Sequence, residues 1–84
     1  MVLRMTLSRP ALTPSSAVPL YEQVADHIAT EIAAGHAMPG DKLPAERELA
    51  QDWGIAYGTM RSAIALLRDR GLIASRHGKG TFIA

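Results

Sequence analysis

Residues Arg76 to Ala84 read RHGKGTFIA, so Lys79 stands between Gly78 and Gly80, with His77 before and Thr81 after. Glycines flanking a lysine beside a threonine suit the holding of a phosphate, either that of a nucleotide or that of a polymer backbone. A nucleotide loop of the Walker type needs Gly-x-x-x-x-Gly-Lys-Ser/Thr leading into a helix. Here Ile73 stands five positions before Gly78 and Gly80 follows Lys79. No helix is expected to follow in the four residues after Gly80. The nucleotide-loop reading fails, and a hairpin tip carrying a positive charge remains.

Other chemistry finds less support. Glu46 and Glu48 are two apart in a helical stretch and do not face each other, so a pair of catalytic carboxylates is not formed. Ser75 and His77 flank Arg76 with no orienting acid nearby, which disfavours nucleophilic catalysis. His27 and His36 are isolated and read as surface residues. The chain has no cysteine, which removes disulfides and Cys-based zinc sites. No cofactor or metal is called for, and the chain is not expected to be an enzyme.

Eighty-four residues allow one small domain with one core, and no deep substrate cavity beside it. The net charge of +1 conceals a segregation. Residues 1–19 carry +2, residues 20–41 carry −4 and residues 42–84 carry +3. A basic second half suits a face that meets an anion. No apolar run is long enough to span a membrane, and the N-terminus lacks the apolar core of a signal peptide. A cytoplasmic protein is expected.

The elements that must position these residues follow from periodicity. Residues 1–18, with Pro10, Pro14 and TPSS, hold no period and read as a flexible N-terminal arm; residues 19–84 form the domain. Leu20, Val24, Ile28 and Ile32, with Ala25 and Ala29, make the apolar stripe of a first helix ending at Gly35. Glu22, Asp26 and Glu31 fall off that stripe. DKL, between Pro39-Gly40 and Pro44, is at most a short edge strand. AERELAQDW is a second helix, with Leu49, Ala50 and Trp53 on its inner face, and Gly54 ends it. A third helix turns Met60, Ala63, Ile64 and Leu67 inward and stops at Arg70-Gly71. Strands at Leu72-Ile73 and Phe82-Ile83 enclose HGKG as a hairpin loop. The fold class is α+β, mostly α: a winged helix-turn-helix of three helices, an antiparallel hairpin wing and a short third strand.

Two short helices joined through Gly54 form a helix-turn-helix, whose later helix lies in the DNA major groove with its N-terminal residues on base edges. The outward residues of that helix are Tyr57, Gly58, Arg61, Ser62, Ala65 and Arg68. Arg61 could fork onto guanine, a contact of about 1–3 kcal/mol in discrimination. A winged helix serving protein–protein contacts would instead show apolar anchors there, and Arg61, Ser62 and Arg68 are polar.

PLYEQVADHIATEIAAG, PGDKLPAERELA, GTMRSAIALLRDRGLI and HGKGTF together resemble the winged-helix DNA-binding domain of the GntR family of bacterial transcription regulators, over roughly residues 19–84. The resemblance implies a phosphate or base contact for Arg47, backbone and base contacts for Thr59 and Arg61, and a minor-groove wing tip of His77, Gly78 and Lys79 shaped by Gly80. It also implies two protomers on a pseudo-palindromic operator, a homodimer that can form on DNA alone. The chain departs from the family pattern Ser-Arg-Thr-Thr with Ala56-Tyr57-Gly58-Thr59, so a base-reading arginine is replaced by a tyrosine that cannot fork onto guanine. Ala56 also lacks a capping hydroxyl, and Gly58 is a weak helix former, so the third helix is expected to be loose at its N-terminus until DNA orders it. Family regulators usually carry a C-terminal effector-binding and dimerising domain; none is read in this chain, which is expected to be either a fragment or a short form.

Overall fold

A computed structural model describes residues 7–84. Helix α1 spans Leu20–Ala33 and begins at Pro19, whose carbonyl accepts from the amides of Glu22 and Gln23, both at 3.1 Å. It stops where His36 N–H reaches back to the Glu31 carbonyl at 2.9 Å. Helix α2 spans Glu46–Trp53 and helix α3 spans Tyr57–Asp69. Between them Gly54 takes φ +63°, a left-handed conformation that costs a side-chain-bearing residue dearly. The Ile55 amide then closes onto the Ala50 carbonyl at 2.9 Å, and this turns the chain sharply enough for α3 to cross α2.

Strands β1, Ile73–Arg76, and β2, Gly80–Ile83, pair antiparallel with Ile73 opposite Ile83 and Arg76 opposite Gly80. The expected third strand is not formed among the described residues. DKL contributes a single bridge, Lys42 to Phe82, supported by Leu43 N–H to the Thr81 carbonyl at 2.9 Å and Ile83 N–H to the Asp41 carbonyl at 2.8 Å. The reason is local. The turn at Pro39-Gly40 on one side and Pro44, which has no amide to donate, on the other leave room for one ladder rung only.

The core is one cluster. Val24, Ala25 and Ile28 of α1, Leu49, Ala50 and Trp53 of α2, and Met60, Ala63, Ile64 and Leu67 of α3 meet Ala37, Leu43, Ile73 and Ile83. Ile28, Met60 and Leu67 are fully enclosed. Truncating any of them to alanine should cost about 2–5 kcal/mol, a large share of a small domain's margin.

Glu31 departs from the sequence expectation. It is 7 % exposed rather than solvated, although it lies off the apolar stripe. The Ser8 hydroxyl donates to its Oε1 at 2.6 Å, His36 Nδ1 meets its Oε2, and His27 Nε2 stands 3.5 Å from Oε1. His27 is likewise no plain surface residue: its Nε2 lies 2.6 Å from the Ser8 carbonyl, and its ring meets Trp53 edge-on at 5.7 Å. Residues 1–6 of the N-terminal arm lie outside the described residues. Beyond them, Leu7 and Leu12 pack on the core, Gln23 of α1 exchanges hydrogen bonds with the Thr13 backbone at 2.9 and 3.0 Å, and Arg9 donates to the Asp52 carbonyl at 3.3 Å.

Candidate nucleic-acid interface

The exposed side of α3 follows from its buried side. With Met60, Ala63, Ile64 and Leu67 packed inward, the 3.6-residue period turns Gly58, Arg61, Ser62, Ala65 and Arg68 outward, and all five are exposed. Gly58, Arg61, Ser62 and Ala65 line a shallow depression of about 320 Å³. Gly58, Ser62 and Ala65 are small there and leave the helix backbone open to close approach. Thr59 is half-buried at the flank of this face.

Tyr57 opens α3 and is half-buried. The Arg47 guanidinium, from the first turn of α2, lies over its ring at 4.0 Å from the centroid. The Arg61 guanidinium lies 5.8 Å from the same centroid. One ring therefore gathers two cations from two helices. A wider groove of about 740 Å³ runs beside it, lined by Lys42, Arg47, Tyr57, Gly80 and Thr81 among others.

The wing is closed by Lys79 N–H to the Arg76 carbonyl at 3.0 Å. Gly78 takes φ +72° at the third position of that turn, where a side chain would be strained. His77, Gly78, Lys79 and Gly80 are all exposed. Arg68 reaches from α3 to Ser75 Oγ, with hydrogen bonds of 3.2 and 2.8 Å from Nε and Nη2, and so braces the wing against the helix.

Sequence reasoning missed three contributors. Lys42 lies along Gly80 so closely that a Cβ there would sit 2.8 Å from its Cε. Arg76 covers the Phe82 ring at 5.1 Å, and Ser75 anchors Arg68. The Arg76–Phe82 contact was accessible from the hairpin register, since the two are diagonal neighbours once Arg76 faces Gly80. Nothing in the sequence pairs Lys42 with Gly80.

Among the described residues, the only arginine or lysine within 4.0 Å of a carboxylate is Arg70, held by Asp26 at 2.8 Å. Lys42, Arg47, Arg61, Arg68, Arg76 and Lys79 have no carboxylate of those residues at that range. No side chain caps α2 or α3, so the first-turn amides of both remain available as donors. The arrangement offers an anion charge, hydrogen-bond donors and a narrow protruding tip. Among the described residues no group of three or more His, Cys, Asp or Glu could hold a metal, and no helix is long and apolar enough to cross a membrane.

Residues 20–83 match the sequence profile of bacterial regulatory proteins, gntR family. The HTH-type transcriptional regulator SmoD of Agrobacterium fabrum is 44 % identical over 66 residues, which is 79 % of this chain and 28 % of SmoD. Among solved structures, YtrA from Sulfolobus acidocaldarius, a GntR-family transcription factor, superposes with a TM-score of 0.82 at 37 % identity, covering 90 % of this chain and 80 % of that one. The AraR DNA-binding domain in complex with operator ORX1 superposes with a TM-score of 0.76 at 39 % identity, covering 88 % of this chain and 92 % of that one. The profile match extends over all three helices and both strands of the winged helix-turn-helix, and the chain belongs to the GntR family of bacterial regulatory proteins.

Proposed function

We propose that this chain binds double-stranded DNA sequence-specifically and acts in transcription regulation, with no catalytic role and in the cytoplasm. The observation that carries the reading is the set of six cations without carboxylate partners among the described residues, spread over α2, α3, the wing and the Lys42 segment beside it. The likeness to a DNA-binding domain solved on its operator supports it. Helix α3 enters the major groove with Tyr57, Gly58, Thr59, Arg61 and Ser62 toward the bases and their flanking sugars. Arg47, Arg68 and Lys79 meet phosphates, and His77, Gly78 and Gly80 let the wing tip follow the adjacent minor groove. Two protomers occupy a pseudo-palindromic operator, each reading one half-site. Residues 19–84 form the binding unit, and residues 1–18 an N-terminal arm whose Leu7, Ser8 and Leu12 contact it.

Selection of bound sites from a random DNA pool tests this directly. A recurrent half-site with fixed spacing is expected, and the measured affinity should fall steeply with salt, since each phosphate neutralised contributes about 0.9 to the slope of log K against log salt. Enrichment of no sequence, or retention indifferent to salt, would sink the reading and favour a protein partner.

A further inference from the structure

We propose that Tyr57 is a positioning residue for DNA recognition: its ring is a platform that holds Arg47 and Arg61 in one orientation, ready for the duplex. The inference rests on the DNA-binding reading above, and it concerns a position where the sequence departs from its family's pattern. A tyrosine cannot fork onto guanine, and here it does something else.

The geometry carries the argument. Arg47 and Tyr57 are ten residues apart and sit on different helices, yet the guanidinium lies 4.0 Å from the ring centroid. That is stacking distance, at which the negative face of the ring attracts the cation. Arg61, one turn along α3, lies 5.8 Å from the same centroid, near the outer limit of such attraction. Both arginines are exposed, and neither is held by a carboxylate among the described residues. Without the ring, each long side chain would sample many rotamers and would lose that freedom on binding. With it, the ordering is done before DNA arrives. A guanidinium stacked on a ring keeps its N–H edge outward, so stacking does not compete with hydrogen bonding to phosphate or guanine. Tyr57 itself is half-buried, which restricts the ring's own freedom. Like charges on two helices are thereby brought to one spot, where a phosphate compensates both.

The test uses the full chain and three variants: Tyr57→Phe, which keeps the ring, Tyr57→Leu, which keeps apolar bulk without it, and Arg47→Ala. In free protein, the Arg47 side-chain protons should show ring-current displacement by NMR in the wild type and in Tyr57→Phe, and should lose it in Tyr57→Leu. On the operator recovered by site selection, Tyr57→Phe should lose less affinity than Tyr57→Leu. Tyr57→Leu should bind roughly two- to fivefold more weakly at unchanged melting temperature. Arg47→Ala should cost less in the Tyr57→Leu background than in wild type, because its partner is already gone. Equal cost of Arg47→Ala in both backgrounds, or absence of ring-current displacement in the wild type, overturns the proposal. So does a loss in Tyr57→Phe as large as in Tyr57→Leu, which would assign the role to the hydroxyl. If the wild type shows no salt-dependent DNA binding at all, the DNA reading fails instead, and the free-protein spectra still decide whether the ring holds the arginines.

Discussion

Arg61 and Lys79 carry the same charge in different settings, and their contributions should separate accordingly. Arg61 projects from the exposed face of α3, whereas Lys79 sits at an exposed hairpin tip between two glycines. Arg61→Ala should relax base preference, at a cost of about 1–3 kcal/mol on the preferred site. Lys79→Ala should weaken all sequences about evenly and reduce the salt slope by about 1. Competition binding with matched and scrambled duplexes over a salt series measures both, and identical behaviour of the two variants would refute the division. Gly58 offers a second contrast. A Cβ built there meets nothing within 4 Å in the free protein. Gly58→Ala should therefore stabilise the fold by about 0.5–1 kcal/mol, through higher helix propensity and a less free unfolded chain. If the bare backbone of Gly58 lies against DNA, the same variant should bind the operator more weakly. Denaturant midpoints and affinities measured side by side would reveal gain in one and loss in the other.

At the scale of elements, α3 begins without a cap. Ala56 has the extended backbone of an N-cap, φ −57° and ψ 139°, but no side-chain oxygen. Ala56→Ser supplies one and should stabilise the protein by about 0.5–2 kcal/mol. It should also slow amide exchange in the first turn of α3, which in the wild type should be faster than mid-helix. Slow exchange there in the unmodified protein would show that packing alone holds the turn. The helices themselves were legible in the sequence, because Val24 and Ile28 or Met60, Ala63, Ile64 and Leu67 repeat with the helical period, and Gly54 and Gly71 punctuate them. So was the wing, from Gly78 and Gly80 between two apolar pairs. What periodicity cannot express is a contact between distant side chains. Arg47 over Tyr57, Arg68 on Ser75 and Ser8 on Glu31 each join residues on different segments, and each depends on the crossing of elements rather than on local pattern. The third strand fails for the opposite reason. An apolar residue in a short extended segment looks like a strand, but the prolines and the turn around it limit pairing to one bridge.

At the scale of the whole molecule the charges segregate by element along the chain. The acidic stretch of residues 20–41 builds α1 and the turn after it, and the basic second half builds α2, α3 and the wing. Asp26 takes Arg70 as its partner, and Glu31 turns inward to the arm. Glu31 therefore ties the arm to α1. The Ser8 hydroxyl bond, then the His36 contact, hold its carboxyl below the ordinary value of 4.5, against the opposing effect of burial. Because the folded form binds its proton less readily than the unfolded form, the stabilisation is complete well above pH 4.5 and is lost as pH falls below it, through the lowered folded value. Glu31→Gln should accordingly destabilise the protein at neutral pH, and the gap to wild type should narrow as the pH is taken below 4.5. Urea midpoints of the two proteins compared across the acid range measure that gap. A gap that stays constant across the acid range would mean that the glutamate charge is immaterial and that the contact holds the arm through shape and neutral hydrogen bonding alone.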